Sequence, residues 1–211
     1  MRHKGNLDGI ASRDWVTTML ERATSIPGWM SVAELTWLSE QAKRHRRIVE
    51  VGSFMGRSTV ALAETLGIVY AVDTFQGSEE HRGFLSCAPP YFLLEKFRAN
   101  LRPEIESGKV RMIVAKSVDA GRSMLETPDM VFIDGAHDFK SLMHDILTWR
   151  RILVPDGLLC GHDYENGTSP DIGQAVRLAV PGFQVMQGGS IWYWPPTSVN
   201  ASIEEPETVH A

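Results

Sequence analysis

The stretch IVEVGSFMGRSTVALA, residues 48–63, decides the fold. It opens on a short apolar run interrupted only by Glu50, turns between Gly52 and Gly56, and places Ser58 and Thr59 where a helix would begin. A run this continuous suits a parallel strand covered on both faces, rather than a half-exposed strand that alternates apolar with polar residues. The same unit recurs downstream. IVYAVD (68–73), VRMIVA (110–115), MVFID (130–134) and GLLCGHD (157–163) are further apolar runs. Helical patterns are expected over Ser31 to Arg46, Ser58 to Leu66, Pro90 to Leu101, Lys140 to Arg151 and Ile172 to Val180. Strand, crossover helix and strand in repetition give a right-handed, doubly wound α/β sheet. FQVMQ (183–187) and SIWYW (190–194) flank Gly188-Gly189, a hairpin signal. The expected architecture is a mostly parallel, seven-stranded α/β sheet closed by an antiparallel C-terminal hairpin.

The ends of the chain carry less pattern. Residues 1–28 read as a lead-in with a short helix around Arg13 to Ala23, residues 29–195 as one domain, and 196–211 as an acidic tail expected to be disordered. At 211 residues with 43% hydrophobic content, the chain can bury a core without disulfides or a structural metal. Cys87 and Cys160 cannot form a disulfide framework or a four-thiolate zinc site, and Cys160, inside an apolar run, reads as a core residue. A formal charge of −5 argues against a broad nucleic-acid footprint, and the basic run around His45 reads as favourable charge at a helix C-terminus. No segment approaches the ~18 apolar residues of a membrane span, and the polar start lacks a signal sequence, so a cytoplasmic protein that binds neither membrane nor nucleic acid is expected. Trp192, Tyr193 and Trp194 are expected in core or subunit-contact packing, which leaves a homo-oligomer open.

In an open α/β sheet the ligand sits beyond the carboxyl ends of the strands. At the first such end, Gly52 and Gly56 permit a tight turn and a close backbone approach. No Gly-Lys-Ser/Thr follows, so this is not a Walker phosphate loop, and Thr59 stands where a dinucleotide fingerprint needs its third glycine. Asp73 ends the next strand and is placed to accept hydrogen bonds from two ribose hydroxyls. Glycine loop plus ribose carboxylate indicates an adenosine-containing cofactor, either a nicotinamide or S-adenosylmethionine (SAM). The plainer reading of Asp73 is a cap on the loop that follows.

Two later strand ends fall on the same sheet edge. Asp134 ends the fourth strand in IDGAH (133–137), and His162 and Asp163 end the fifth in GHDY (161–164). Two carboxylates and an imidazole suit a divalent ion such as Mg²⁺, Mn²⁺ or Fe²⁺. The competing reading makes Asp134 the cap of a helix starting near His137 and leaves His162-Asp163 as a polar loop.

The runs VEVGSFMGRSTVALA, VYAVDTF and VFIDGAHDFKSLMHDILTWRRILVPDGLLCGHDY together resemble class I SAM-dependent methyltransferases with a Rossmann-like fold. Within that fold they are similar to the small metal-dependent O-methyltransferases, both catechol-type enzymes and bacterial relatives that modify sugars and other natural products. The resemblance implies that Glu50 and Gly52 meet the methionine end of SAM, with Phe54 and Ser58 beside them. It makes Asp73 the ribose-binding acid and places Ser117, after Lys116, at the adenine edge. It implies metal ligation by Asp134, His162 and Asp163, with Mg²⁺ as the ion. His162 departs from the family, which carries aspartate followed by asparagine or aspartate at this pair. His137 falls where the catechol-type enzymes place a catalytic lysine, and its imidazole is suited to take a proton from the acceptor hydroxyl. The implied partner is a small hydroxylated acceptor: a vicinal diol, a sugar or a catechol-like molecule. Pro27 to Met30 would build one wall of the site, and the long Gln76 to Tyr91 loop, with His81, Arg82, Phe84 and Cys87, would be a substrate lid. The alternatives are a nicotinamide-dependent oxidoreductase and a SAM-binding protein that does not transfer methyl.

Overall fold

The computed structural model describes residues 8–77, 85, 88–89, 91–165 and 170–195. The strands are β1 (Arg47–Val51), β2 (Ile68–Asp73), β3 (Val110–Val114), β4 (Met130–Ile133), β5 (Leu158–Gly161), β6 (Gln184–Val185) and β7 (Trp192–Trp194). They form a seven-stranded sheet in the order β3-β2-β1-β4-β5-β7-β6. β1 to β5 are mutually parallel, and β7 runs antiparallel to both β5 and β6. The C-terminal hairpin is therefore inserted second strand first: β7 meets the parallel sheet, and β6 lies at the edge. β6 is only two residues long and both are exposed, which blunts that edge against further pairing.

The continuous apolar runs have the cause the sequence suggests. Alternate residues of one strand enter different cores: Ile48, Val69, Met130, Phe132 and Cys160 pack on one face, and Val49, Val51, Val131, Ile133 and Leu159 on the other. Successive side chains of a strand point to opposite faces, so two covered faces demand apolar residues at every position. The first face is covered by α1 (Asp8–Ser25), α2 (Val32–Ala42), α3 (Arg57–Leu62) and α4 (Phe92–Asn100). The second is covered by α6 (Ser117–Ser123), α7 (Phe139–Ile152) and α8 (Pro170–Ala179); the short α5 (Arg102–Glu106) precedes β3.

The lead-in is more structured than its pattern suggests. α1 extends beyond the expected 13–23, and Met19, Ala23, Ile26 and Met30 are buried in the first core. Arg57 ties this segment to the sheet by donating to the carbonyls of Ile26 (3.0 Å) and Met30 (2.7 Å). Trp192 is fully buried, and Trp194 lies under the Arg150 guanidinium at 4.2 Å. Among the described residues no helix is long and apolar enough to cross a membrane.

Candidate functional site

β1 is hydrogen-bonded to β2 on one side and β4 on the other, so chain order reverses there, the place where an α/β sheet opens a crevice. A cavity of about 650 Å³ lies at this point, within the range of small-molecule and cofactor sites. Gly52, Phe54, Ser58, Asp73, Ser117, Asp134, His137, His162 and Asp163 all line it. Glu50 does not. Its side chain is fully buried and accepts hydrogen bonds from Ser58 Oγ and Thr59 Oγ1, both at 2.6 Å. Burial pushes its carboxyl up to about 7, against the pull of those hydroxyls. Glu50 thus braces the start of α3 from below rather than facing the cavity.

The glycine loop is set by close approach. Gly52 has φ +86°, and a Cβ there would lie 2.2 Å from the Asp134 carbonyl oxygen. β1 and β4 can converge this tightly only where the side chain is a hydrogen. Asp73 fixes the opposite lip, where its two oxygens accept from the N–H groups of Phe54 (2.8 Å) and Phe75 (2.7 Å). It does cap a turn, as the plainer reading has it, yet each carboxylate oxygen keeps a second lone pair that a ribose hydroxyl can use. Phe54 stacks at a tilt on Trp29, with centroids 5.6 Å apart. Trp29 remains 72% exposed while lining the cavity, so ordinary core packing does not account for it.

At the β4 and β5 ends the polar groups converge. His162 Nδ1 lies 3.4 Å from Asp134 Oδ1 and 3.1 Å from Asp163 Oδ1, and Asp163 Oδ2 lies 3.0 Å from His137 Nε2. Asp163 reaches both imidazoles from a left-handed backbone (φ 64°), a conformation uncommon outside glycine, asparagine and aspartate. Burial alone would lower the His162 pKa, but the charge of Asp134 and contacts with Asp134, Asp163 and Glu34 push it up to about 12. Burial likewise favours the neutral Asp163 carboxyl, yet contacts with His137 and His162 outweigh it and hold it below the usual range. Burial dominates at Asp134 and raises it. One ligand atom from each of Asp134, His162 and Asp163 lies within 4.8 Å of the others, a donor set with the reach and chemistry for a divalent ion.

Asp134 is not a helix cap. Asp138 holds that role, with its side chain accepting from Ser141 N at 2.9 Å at the start of α7. Three contributors escape sequence reasoning. Glu34, in α2, brings a carboxylate oxygen to 3.3 Å from His162 Nε2. Its Ser31-x-x-Glu34 spacing signals a capping box but says nothing of that reach. Trp149 Nε1 donates to Ser117 Oγ at 2.8 Å, and Asp145, four residues earlier on α7, is buried against the same hydroxyl; burial raises its pKa to about 6 against the opposing pull of that contact. Their i, i+4 spacing on a buried stripe was the available signal. Within the expected lid, His81, Arg82, Phe84 and Cys87 lie outside the described residues.

Solved structures share this architecture. The O-methyltransferase from Bacillus cereus in complex with SAH superposes with a TM-score of 0.56 at 18% identity, over 85% of this chain and 90% of that one. The O-methyltransferase TomG from Streptomyces achromogenes, involved in tomaymycin synthesis and solved with SAM, gives 0.56 at 16% identity, over 86% and 89%. The SAH-bound methyltransferase PaMTH1 from Podospora anserina gives 0.58 at 13% identity, over 92% and 96%. A sequence model described as a methyltransferase domain matches residues 49–164, more than half of the chain and the segment that carries the glycine loop, Asp73, Asp134 and the His162-Asp163 pair, and the chain belongs to that family.

Proposed function

We propose that the chain transfers a methyl group from SAM to a hydroxyl of a small molecule carrying neighbouring oxygens, such as a vicinal diol, sugar or catechol-like acceptor, with a divalent ion at Asp134, His162 and Asp163. One observation carries this reading: a single cavity is lined both by Asp73 and Ser117, suited to an adenosine, and by the cluster of two carboxylates and imidazoles. In it, Asp73 accepts the ribose hydroxyls, Ser117 meets the adenine edge, and Gly52, Phe54 and Ser58 form the wall beside the methionine end. Glu50 supports that wall through Ser58 and Thr59.

SAM supplies the electrophilic methyl, and a divalent ion, when bound, acidifies a hydroxyl and holds two adjacent oxygens as a chelate. The protein's share is to fix geometry and move a proton. The acceptor oxygen must be in line with the sulfonium at near-attack distance, and a single cavity lined by both sets of residues has room for the two side by side. His137 receives the acceptor proton, and Asp163, 3.0 Å from its Nε2, stabilises the imidazolium that forms. Trp29, exposed beside Phe54, offers an apolar wall for the acceptor.

Calorimetry with SAM and with NAD, followed by methyl transfer to a panel of diols, sugars and catechols with and without EDTA, tests the reading. SAM should bind, and chelation should stop transfer until Mg²⁺ or Mn²⁺ is restored. Asp163→Ala should keep its SAM affinity and lose most of its activity. NAD binding without SAM binding would overturn the cofactor assignment, and full transfer in chelator would overturn the metal.

A further inference from the structure

His162 is the imidazole among the three groups that can reach a common ion, and an imidazole ligates only if the right nitrogen faces the ion with a free lone pair. The ring is enclosed on both edges. Nδ1 faces Asp134 and Asp163, whereas Nε2 lies 3.3 Å from Glu34 Oε1. The two side chains are 5% and 7% exposed, so water does not compete for this contact. Nε2 has no well-aligned hydrogen bond in this arrangement, which leaves Glu34 as the carboxylate within ion-pair distance of a buried nitrogen.

Glu34 is itself held at both oxygens. Oε1 accepts from Ser190 N (2.8 Å) and Ser190 Oγ (3.0 Å), and Oε2 accepts from Ser31 N and Ser31 Oγ, both at 2.8 Å. These donors come from two distant parts of the chain, the start of α2 and the turn before β7, so the carboxylate is fixed independently of the ring it faces. Metal-bound histidines characteristically give their second N–H to a carboxylate or carbonyl, which sets the tautomer and ring orientation and makes the ligating nitrogen more basic.

We propose that Glu34 is a positioning residue for the metal site: it takes the Nε2–H of His162, so that Nδ1 is the nitrogen offered to the ion between Asp134 and Asp163. The helix cap and the metal site are then one construction, in which α2 delivers the outer carboxylate and β5 the ligand. The proposal rests on the metal reading above.

The test uses the full chain and Mn²⁺ alone as probe, with SAM affinity measured alongside. Glu34→Gln keeps the side chain's size and removes its charge, and it should raise the Mn²⁺ Kd by ~10–100-fold, the usual cost of losing an outer-shell partner, with the SAM Kd unchanged. Thr36→Ala perturbs the same helix by removing a hydroxyl that donates to the Val32 carbonyl and is not among the donors to Glu34, and it should leave the Mn²⁺ Kd within about threefold. Nitrogen-15 spectra of histidine-labelled protein with Mg²⁺ should show His162 protonated at Nε2 in the wild type, with that signature altered in Glu34→Gln. An unchanged Mn²⁺ Kd in Glu34→Gln, or an equal loss in Thr36→Ala, would overturn the role of Glu34 while leaving the metal reading standing. A wild type that binds SAM but no Mn²⁺ would overturn both.

Discussion

Glu50→Gln should stabilise the protein, and by an amount that depends on pH. Glu50 is wholly buried; it accepts hydrogen bonds from Ser58 and Thr59, lies beside the Ser53 hydroxyl, and feels the like charge of Asp134. Burial lifts its carboxyl from an ordinary 4.5 to about 7, so the folded state holds this proton more tightly than the unfolded chain does. Stability therefore falls as pH rises from the unfolded value through the folded one, because folding above that window buries a charge. At about 1.36 kcal/mol per pH unit, the span is worth roughly 3 kcal/mol once pH exceeds about 8, and less than ~1 kcal/mol at pH 5. Glutamine is nearly isosteric, and its amide can donate to one hydroxyl and accept from the other, since hydroxyl protons rotate to suit. Urea denaturation of wild type and Glu50→Gln at pH 5 and pH 8 isolates the effect, because every other titrating group is common to both proteins. The variant should be nearly equal to wild type at pH 5 and more stable at pH 8, where a gain of ~3 kcal/mol corresponds to roughly 6–12 °C in Tm for a domain of this size. An identical stability difference at the two pH values, or a variant that is less stable at pH 8, would refute the buried-charge account.

Two further outcomes bear on the cavity. Asp73→Ala should weaken SAM binding by ~2–4 kcal/mol through lost charge-assisted ribose bonds, measured by calorimetry; an unaltered Kd would leave Asp73 only its anchoring of the Phe54 and Phe75 amides. His137→Ala should slow single-turnover methyl transfer by ~10²–10⁴-fold with SAM and Mn²⁺ affinities little changed, whereas a rate within a few-fold of wild type would mean that the acceptor hydroxyl needs no protein base.

The α/β order, the parallel runs and the hairpin are legible in the sequence, because they follow from local hydrophobic pattern and from glycine pairs. A strand buried on both faces is apolar at nearly every position, as in IVYAV and MVFI, and in IVEV the single exception is Glu50. The sequence also placed Asp73, Asp134, His162 and Asp163 near one another, since parallel strands put all their carboxyl ends on one edge. What it left open was decided by side-chain direction and by contacts between remote segments. Glu50 alternates with Val49 and Val51 along β1, so its pleat turns it under the α3 start and away from the cavity lined by the residues after it. The plainer sequence reading makes Asp134 the helix cap, and the backbone at the start of α7 gives that role to Asp138 instead. Glu34 is 128 residues from His162 in the chain, and its meeting with the imidazole depends on how α2, β5 and the turn before β7 pack around one point. Periodicity records which face a residue occupies; it carries no information about which distant group waits on that face, and the buried charges of this site depend on that pairing.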